Sequence, residues 1–110
     1  MSAALAVTGD TFETEVIKSE MPVLVDFWAT WCPPCRLIAP TVDAVAQDFA
    51  GKAKVLKVDT DAEQELSEKY NITSIPTLLF FKDGKVAETL MGGNVAKKTI
   101  ADTLERLIGS

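Results

Sequence analysis

The residues of this chain best suited to chemistry are Cys32 and Cys35, its only cysteines, which are separated by two prolines. Two thiols at this spacing can close a small disulfide ring and open it again, which predicts thiol–disulfide exchange. The chain has no histidine, and this excludes Ser-His-Asp hydrolases, Cys-His proteases and metal sites built on imidazole. Two thiolates cannot complete a zinc or iron–sulfur site, so no metal and no cofactor is expected unless two chains share four thiolates. The alternative to redox chemistry is a structural disulfide or a pair of inert buried thiols.

Length and composition limit the other classes of function. With 110 residues, 47% hydrophobic and 25% charged, the chain is predicted to be one domain over residues 1–110. Its net charge of −5 argues against a nucleic-acid surface, which is normally basic. No apolar run approaches the ~20 residues of a membrane span, and the first residues lack the basic and apolar regions of a signal peptide. We therefore expect a cytoplasmic protein, with a processed organelle protein as the alternative.

The two cysteines lie between a predicted strand and a predicted helix. Residues 23–29 are apolar on both faces except at Asp26, which is typical of a central strand covered by helices on both sides. The apolar residues after the cysteines recur at helical spacing and are Ile38, Val42, Val45 and Phe49. Backbone N–H groups and the helix dipole at the start of this helix would favour a thiolate at Cys32. Cys32 is then the exposed attacking sulfur, and Cys35 is the sheltered thiol that resolves the mixed disulfide.

The rest of the chain alternates between strands and helices. Asp10 and Glu13 have the spacing of a capping box at the start of a first helix, and Asn94 is predicted to cap the last helix. Asp83-Gly84 is the strongest hairpin signal. Strands are expected at residues 4–7, 23–29, 54–58, 77–81 and 86–91, with a third helix between residues 61 and 70. The order βαβαβαββα predicts an α/β fold with a mixed five-stranded sheet flanked by four helices.

Asp26 is the second candidate for chemistry. A carboxylate in an apolar central strand is costly if it is ionised without a partner, so we expect a raised pKa. Such a carboxyl near the sulfurs can act as the general base that takes the proton of Cys35. Lys57 interrupts a neighbouring strand in the same way and is the predicted counter-charge of Asp26. The structural alternative is an ion pair at the rim of the sheet, or an edge position that faces water.

Three further segments could line a binding surface. Pro76 opens a strand, where a proline is tolerated; alternatively its bond to Ile75 is cis and turns the backbone toward a substrate. Gly92 and Gly93 either allow close approach of the backbone to the site or form a plain loop. Trp31 flanks the cysteines and is expected to be partly exposed, where it can contact a partner.

Together these motifs resemble the thioredoxin family over essentially the whole chain. A CxxC pair alone is weak evidence, but the order and spacing of the set are specific. The matching residues are Val25-Asp26-Phe27-Trp28-Ala29, Trp31-Cys32, Pro34-Cys35, Ile38-Ala39-Pro40, Val58-Asp59, Tyr70, Ile75-Pro76-Thr77, Phe81, Gly84 and Gly92. The resemblance implies the thioredoxin fold and a monomeric protein-disulfide reductase, which passes electrons to disulfide-containing client proteins. It also implies recharging by a thioredoxin reductase that is NADPH- or ferredoxin-dependent.

The resemblance further implies a role for each matching residue. Cys32 is the nucleophile and Cys35 the resolving thiol, while Asp26 and Lys57 handle the proton behind them. The Ile75–Pro76 bond is implied to be the cis bond of a substrate groove. The predicted substrate-binding residues are Trp31, Pro34, Ile75, Pro76, Gly92 and Gly93, together with Pro33 beside them.

The chain departs from the family pattern in two places. Pro33 stands where the family usually has Gly, and because a residue before a proline avoids the helical region, the helix is predicted to begin at Pro34. A change of order 1 kcal/mol there moves the reduction potential by only about 20 mV, so we expect a reductant, with a thiol oxidant or isomerase as the alternative. Thr60, Thr73-Ser74 and Met91 also differ from the usual residues around the groove, which predicts a different choice of clients. A binding module on the same fold, independent of the cysteines, is the alternative from another class.

Overall fold

Strands and helices alternate along the chain in the predicted order. The computed structural model describes residues 3–110. Its strands are β1 (Leu5–Ala6), β2 (Val23–Trp28), β3 (Lys54–Asp59), β4 (Thr77–Lys82) and β5 (Lys85–Met91). Its helices are α1 (Gly9–Phe12, continued as a π-helical segment over Glu13–Ile17), α2 (Pro33–Asp48), α3 (Gln64–Lys69) and α4 (Lys97–Ile108). Over the described residues this is the predicted α/β fold, a five-stranded mixed sheet with four helices.

The strand that precedes the cysteines is the centre of the sheet. The strand order is β1-β3-β2-β4-β5, with β2 parallel to β3 and antiparallel to β4. Because β4 runs the other way, its first residue Thr77 pairs with Phe27 near the end of β2. The end of β2, the end of β3 and the start of β4 therefore meet at one edge of the sheet. This edge carries the cysteines and Pro76.

The two faces of the sheet bury separate apolar clusters. Side chains of a strand alternate between the faces, and in β2 Leu24 points toward α2 and α4 while Val25 and Phe27 point toward the opposite face. The α2–α4 face includes Ile38, Val42, Val45, Phe49, Ile100 and Leu104. The opposite face includes Phe12, Val16, Leu66 and Phe81, with Tyr70 at its margin. Asp26 follows the same alternation as Leu24, so its side chain points toward α2.

Two predicted helix caps differ from the structure. The first helix begins at Gly9, because the Thr8 N–H donates to the Thr11 hydroxyl at 3.0 Å; the capping box at Asp10 is therefore wrong. The last helix begins at Lys97, with Ala96 as its N-cap, so the cap at Asn94 is also wrong. Sequences carry many cap-type residues, and the loop geometry decides which one is used.

The predicted hairpin is confirmed. Asp83 and Gly84 both have positive φ, 53° and 80°, which is the backbone of the turn that joins antiparallel strands most readily.

Within residues 3–110, every helix is too short or too polar to cross a membrane.

Candidate active site at the start of the second long helix

The disulfide lies where α2 begins. Cys32 is the N-cap residue, with extended backbone angles φ −92° and ψ 108°, and the helix starts at Pro33. The predicted start at Pro34 is therefore wrong by one residue. The N–H groups of the first helical turn have no partner within the helix, so Pro33 and Pro34 lose no hydrogen bond there. A residue before a proline prefers the extended region, and that is the conformation an N-cap needs.

Cys32 and Cys35 form a disulfide within the first turn of α2. The Cys35 N–H donates to the Cys32 sulfur at 3.2 Å, as expected for a sulfur at a helix N-terminus. Cys32 is 2% exposed and Cys35 3%, so Cys32 is no more exposed than its partner in this state. The difference from the prediction arises because the segment around Ile75 covers Cys32: the Ile75 carbonyl oxygen lies 3.7 Å from the Cys32 sulfur.

The Ile75–Pro76 segment, whose Ile75 covers Cys32, is tied to the neighbouring strand of the sheet. The Ile75–Pro76 peptide bond is cis, as the resemblance implied. The Pro76 carbonyl accepts a hydrogen bond from the Gly92 N–H at 3.0 Å, which ties the start of β4 to the end of β5. Backbone from two strands therefore forms the wall of the site opposite α2.

Asp26 lies behind the disulfide and is almost completely buried. Its side chain is among the few buried polar groups of the described residues, and its Oδ1 has no hydrogen-bond partner. Burial raises the pKa of Asp26 from 3.8 to about 7; the positive charge of Lys57 opposes this shift and the Asp43 carboxylate adds to it. Asp26 and Cys35 line the same cavity of about 100 Å³. A space of this size is wide enough for water between the carboxyl and the sulfur.

Lys57 is the neighbour of Asp26 on β3, but the two do not form a close ion pair. They are directly opposite in the register of β2 and β3. Among the described residues the ion pairs within 4.0 Å join other groups, as between Lys54 and Glu15. The Lys57 Nζ lies 5.3 Å from the centre of the Trp28 ring. Lys57 therefore acts on Asp26 as a charge at a distance, not as a hydrogen-bonded partner.

A groove runs along the outer side of the disulfide. It has a volume of about 690 Å³, and its lining residues are Pro33, Pro34, Leu37, Ser74, Ile75, Met91, Gly92, Gly93 and Asn94. Five of the seven predicted substrate-binding residues line this groove, namely Pro33, Pro34, Ile75, Gly92 and Gly93. Pro76 is buried behind Ile75 and does not line it. Leu37 is 63% exposed and was missed; an apolar residue beside the buried stripe of α2 is the signal that could have found it.

Trp31 lies apart from this groove. It lines a separate hollow of about 210 Å³ on the other flank of Ile75, together with Thr60 and Thr73. Its indole N–H donates to the Asp61 carboxylate at 2.8 Å, and its side chain is 63% exposed. The ring is therefore held in place while it remains open to a partner.

The backbone at Gly93 lies very close to Pro34, which decides between the two alternatives for this segment, close approach or a plain loop. A Cβ atom at Gly93 would lie 2.7 Å from the Pro34 carbonyl oxygen and 3.0 Å from the Pro34 Cα. Only a residue without a side chain fits at that distance, so the loop after β5 packs backbone against the first turn of α2. Gly92 has a φ of +102°, a conformation that L residues rarely adopt.

Comparison with known proteins identifies the family. The Thioredoxin family model matches residues 3–106. The chain is 52% identical over 106 residues to Thioredoxin 1 of Synechococcus elongatus, covering 96% of this chain and 98% of that protein. It is 47% identical over 108 residues to the thioredoxin of Synechocystis sp., covering 98% and 100%. It is 48% identical over 103 residues to the thioredoxin M-type, chloroplastic, of Chlamydomonas reinhardtii, covering 94% and 73%. This chain belongs to the thioredoxin family and is a protein-disulfide oxidoreductase that works by thiol–disulfide exchange.

Proposed function

We propose that this thioredoxin works in the reducing direction, with Cys32 as nucleophile and Cys35 as resolving thiol. The Cys32 thiolate attacks a client disulfide and forms a mixed disulfide, and one client thiolate leaves. Cys35 then attacks the Cys32 sulfur, which releases the second client thiol and closes the Cys32–Cys35 disulfide. Two electrons pass to the client in this cycle.

The small number of hydrogen-bond donors around the Cys32 sulfur is the observation that supports the reducing direction. A strongly oxidising pair needs a stabilised reduced form, hence a stabilised thiolate. Prolines have no N–H, so Pro33 and Pro34 supply no donor, and the Cys35 N–H is the first backbone donor of α2. The Ile75 carbonyl oxygen beside the sulfur also disfavours negative charge. The Cys32 thiolate is thus only modestly stabilised, which favours a reductant.

Asp26 is proposed as the general base for the resolving step. A pKa of about 7 leaves the carboxyl partly ionised at neutral pH, which is the range in which a base works best. The cavity shared with Cys35 gives the proton a route from the thiol to the carboxylate through water. Lys57 keeps the pKa from rising further.

Docking of the client is assigned to the groove and to the backbone beside it. Ile75 presents its backbone next to the Cys32 sulfur, held in place because the Pro76 carbonyl is bonded to the Gly92 N–H. Pro33, Pro34, Gly92 and Gly93 line the groove beside it. An extended client segment can pair with such backbone as a further strand. Trp31 contacts the client on the other flank of Ile75.

The partners and the compartment follow from the family more than from the geometry. We propose that a thioredoxin reductase, NADPH- or ferredoxin-dependent, recharges the protein, and assays with each purified reductase test this. We also propose a monomer in the cytoplasm, and light scattering tests the oligomeric state. The radius of gyration of 12.5 Å agrees with about 13 Å for a single domain of this length, which supports one domain over 1–110. The relatives named as chloroplastic make a plastid the alternative compartment.

The reduction potential of the disulfide tests the proposed direction. Equilibrium titration against a dithiol buffer, followed by Trp28 and Trp31 fluorescence, should give a value near or below about −270 mV. In Pro33→Gly, which restores an N–H beside the sulfur, the potential should rise by about 20 mV. Pro40→Ala adds an N–H farther along α2 and should leave the potential unchanged.

A value above about −200 mV would overturn the reducing direction. The chain would then be an oxidant or isomerase. A different outcome would indicate a redox-independent binding module. In that case a Cys32→Ser, Cys35→Ser double variant would bind clients and keep the full activity of the protein.

A further inference from the structure

Met91 forms one edge of the client groove and is strongly exposed. It is the last residue of β5, its side chain is 60% exposed, and it pairs with Thr77 at the start of β4. The next residue, Gly92, is hydrogen-bonded to Pro76. The thioether therefore lies beside the backbone that covers the Cys32 sulfur.

Ser74 holds the Met91 sulfur at this edge. The Ser74 hydroxyl donates to the Met91 Sδ at 3.4 Å, and both side chains line the groove next to Ile75. A thioether is only a weak acceptor, but a sulfoxide oxygen is a strong one. A donor is thus already in place for an oxidised Met91.

The chemistry of the groove makes it sensitive to such a change. Its lining residues include no charged side chain, and apart from Ser74 and Asn94 its side chains are apolar or absent. Conversion of Met91 to a polar, chiral sulfoxide would place a strong dipole on the surface that receives the client. The Ser74 hydroxyl supplies one hydrogen bond to the sulfoxide oxygen, whose remaining lone pairs bind water. A docked client would remove that water without replacing it, and polar groups that lose water without gaining a partner weaken an interface.

We propose that Met91 is a peroxide-sensitive site whose oxidation weakens client docking and leaves the Cys32–Cys35 chemistry intact. The effect on docking rests on the proposed function of the groove. In the step, the O–O bond of hydrogen peroxide breaks, one oxygen forms an S=O bond with the Met91 sulfur, and water leaves. The sulfur loses two electrons and the peroxide gains them; methionine sulfoxide reductases reverse the change.

The disulfide state protects the cysteines during this reaction. Oxidation of cysteine proceeds through the thiolate, and in the disulfide both sulfurs are bonded and almost completely buried. Met21, before β2 and at the opposite edge of the sheet, is half-buried. It serves as an internal reference in the same molecule.

The first experiment measures where peroxide acts. The disulfide form is treated with hydrogen peroxide, and peptide mass spectrometry gives the rate of sulfoxide formation at Met91 and at Met21. We expect Met91 to react at least about fivefold faster, since exposure controls susceptibility. Equal rates at the two residues, or a faster reaction at Met21, would overturn the proposal that Met91 is the peroxide-sensitive site.

The second experiment measures the consequence for docking. After peroxide treatment, KM for reduction of insulin with dithiothreitol as electron donor should rise roughly five- to tenfold, with the reduction potential unchanged. Methionine sulfoxide reductases should restore KM. In Met91→Leu, KM should be the same before and after peroxide, whereas Met21→Leu should keep the full response.

The outcomes separate this proposal from the proposed function. A Met91 sulfoxide with unchanged KM, or a peroxide response that persists in Met91→Leu, would overturn the effect on docking. No insulin reduction by the untreated protein would overturn the proposed function instead, and the sulfoxide rates would still decide whether Met91 is the peroxide-sensitive site.

Discussion

The two large apolar clusters and the small cluster around the disulfide bury different kinds of groups. The large clusters on the faces of the sheet consist of apolar side chains, with Leu24 and Phe27 fully buried at their centres. The small cluster consists of Ala29, Cys32 and Cys35, with Trp28 and Ile75 packed against it. It borders the cavity that contains Asp26, whose Oδ1 is the one buried side-chain oxygen or nitrogen without a hydrogen-bond partner in residues 3–110.

The residues that stabilise the fold and the residues suited to chemistry therefore lie in different regions of this small domain. Apolar burial stabilises the fold by about 25 cal/mol per Å², whereas a buried carboxylate without a partner destabilises it. The fold therefore tolerates a costly group only at the edge where the sulfurs lie. Substitutions of the reactive side chains Cys35 and Asp26 should reduce turnover at little cost to stability, or even with a gain, and substitutions in the large clusters should do the opposite.

Cys35→Ser should give the largest effect. Without a resolving thiol the mixed disulfide between Cys32 and the client cannot be released by the protein, so turnover of insulin should fall at least about 10³-fold. The covalent complex should accumulate on non-reducing gels and have the summed mass of the two proteins.

Ile100→Val is the matched change in a large cluster. Ile100 is fully buried, and removal of one methylene costs about 0.5–1.5 kcal/mol of unfolding free energy. Its turnover should be unchanged. A similar loss of turnover in both variants would remove the distinction between the two regions.

Asp26→Asn should give the next largest effect, and it should raise stability. The pKa of Asp26 is about 7 in the folded protein against an ordinary 3.8. Between these pH values the unfolded chain releases a proton that the folded protein keeps, so the free energy of unfolding falls as pH rises, by about 4 kcal/mol in all. Below pH 3.8 the full contribution is present, and above pH ~7 no more is lost.

Urea denaturation of the wild-type protein and Asp26→Asn measures this directly. The variant should be more stable by about 4 kcal/mol at pH 8 and nearly equal at pH 3.5, while its mixed-disulfide resolution slows by about 10²-fold at neutral pH. Asp102→Asn, on the exposed face of α4, should change stability far less at both pH values. An Asp26→Asn variant that is less stable at pH 8 would show that the carboxylate is satisfied in the fold.

The sequence predicted the large clusters better than the ends of the elements. Periodic apolar residues placed Leu24, Val42 and Leu104 correctly, because burial follows directly from the period of a helix or strand. The caps at Asp10 and Asn94 were wrong, since several polar residues near each helix start compete and tertiary geometry selects among them.

The site was predictable where its members are adjacent in sequence. The hydrogen bond from the Cys35 N–H to the Cys32 sulfur follows from their spacing at a helix start. The covering of Cys32 by Ile75, and the separation of Trp31 from the groove, depend on segments more than 40 residues apart that only the folded sheet brings together. The raised pKa of Asp26 was expected in direction, but its size depends first on how completely the fold buries the carboxyl, and then on the distances of Lys57 and Asp43, none of which a sequence pattern contains.

Among the three substitutions near the disulfide, Gly93→Ala should give the smallest effect, and it tests the packing of main chain in this region. Near the disulfide, packing depends on main chain against main chain: a Cβ at Gly93 would meet the Pro34 carbonyl oxygen at 2.7 Å. Neither backbone can yield without moving α2 or the end of β5, so the unfolding free energy should fall by about 1–3 kcal/mol, and KM for insulin should rise. Gly109→Ala is the control, because a Cβ there lies 3.5 Å from the Glu105 carbonyl oxygen, an ordinary contact. If both alanine variants match the wild-type protein in denaturation and in KM, the groove wall is compliant, and the site region would then differ from the large clusters in its buried charge alone.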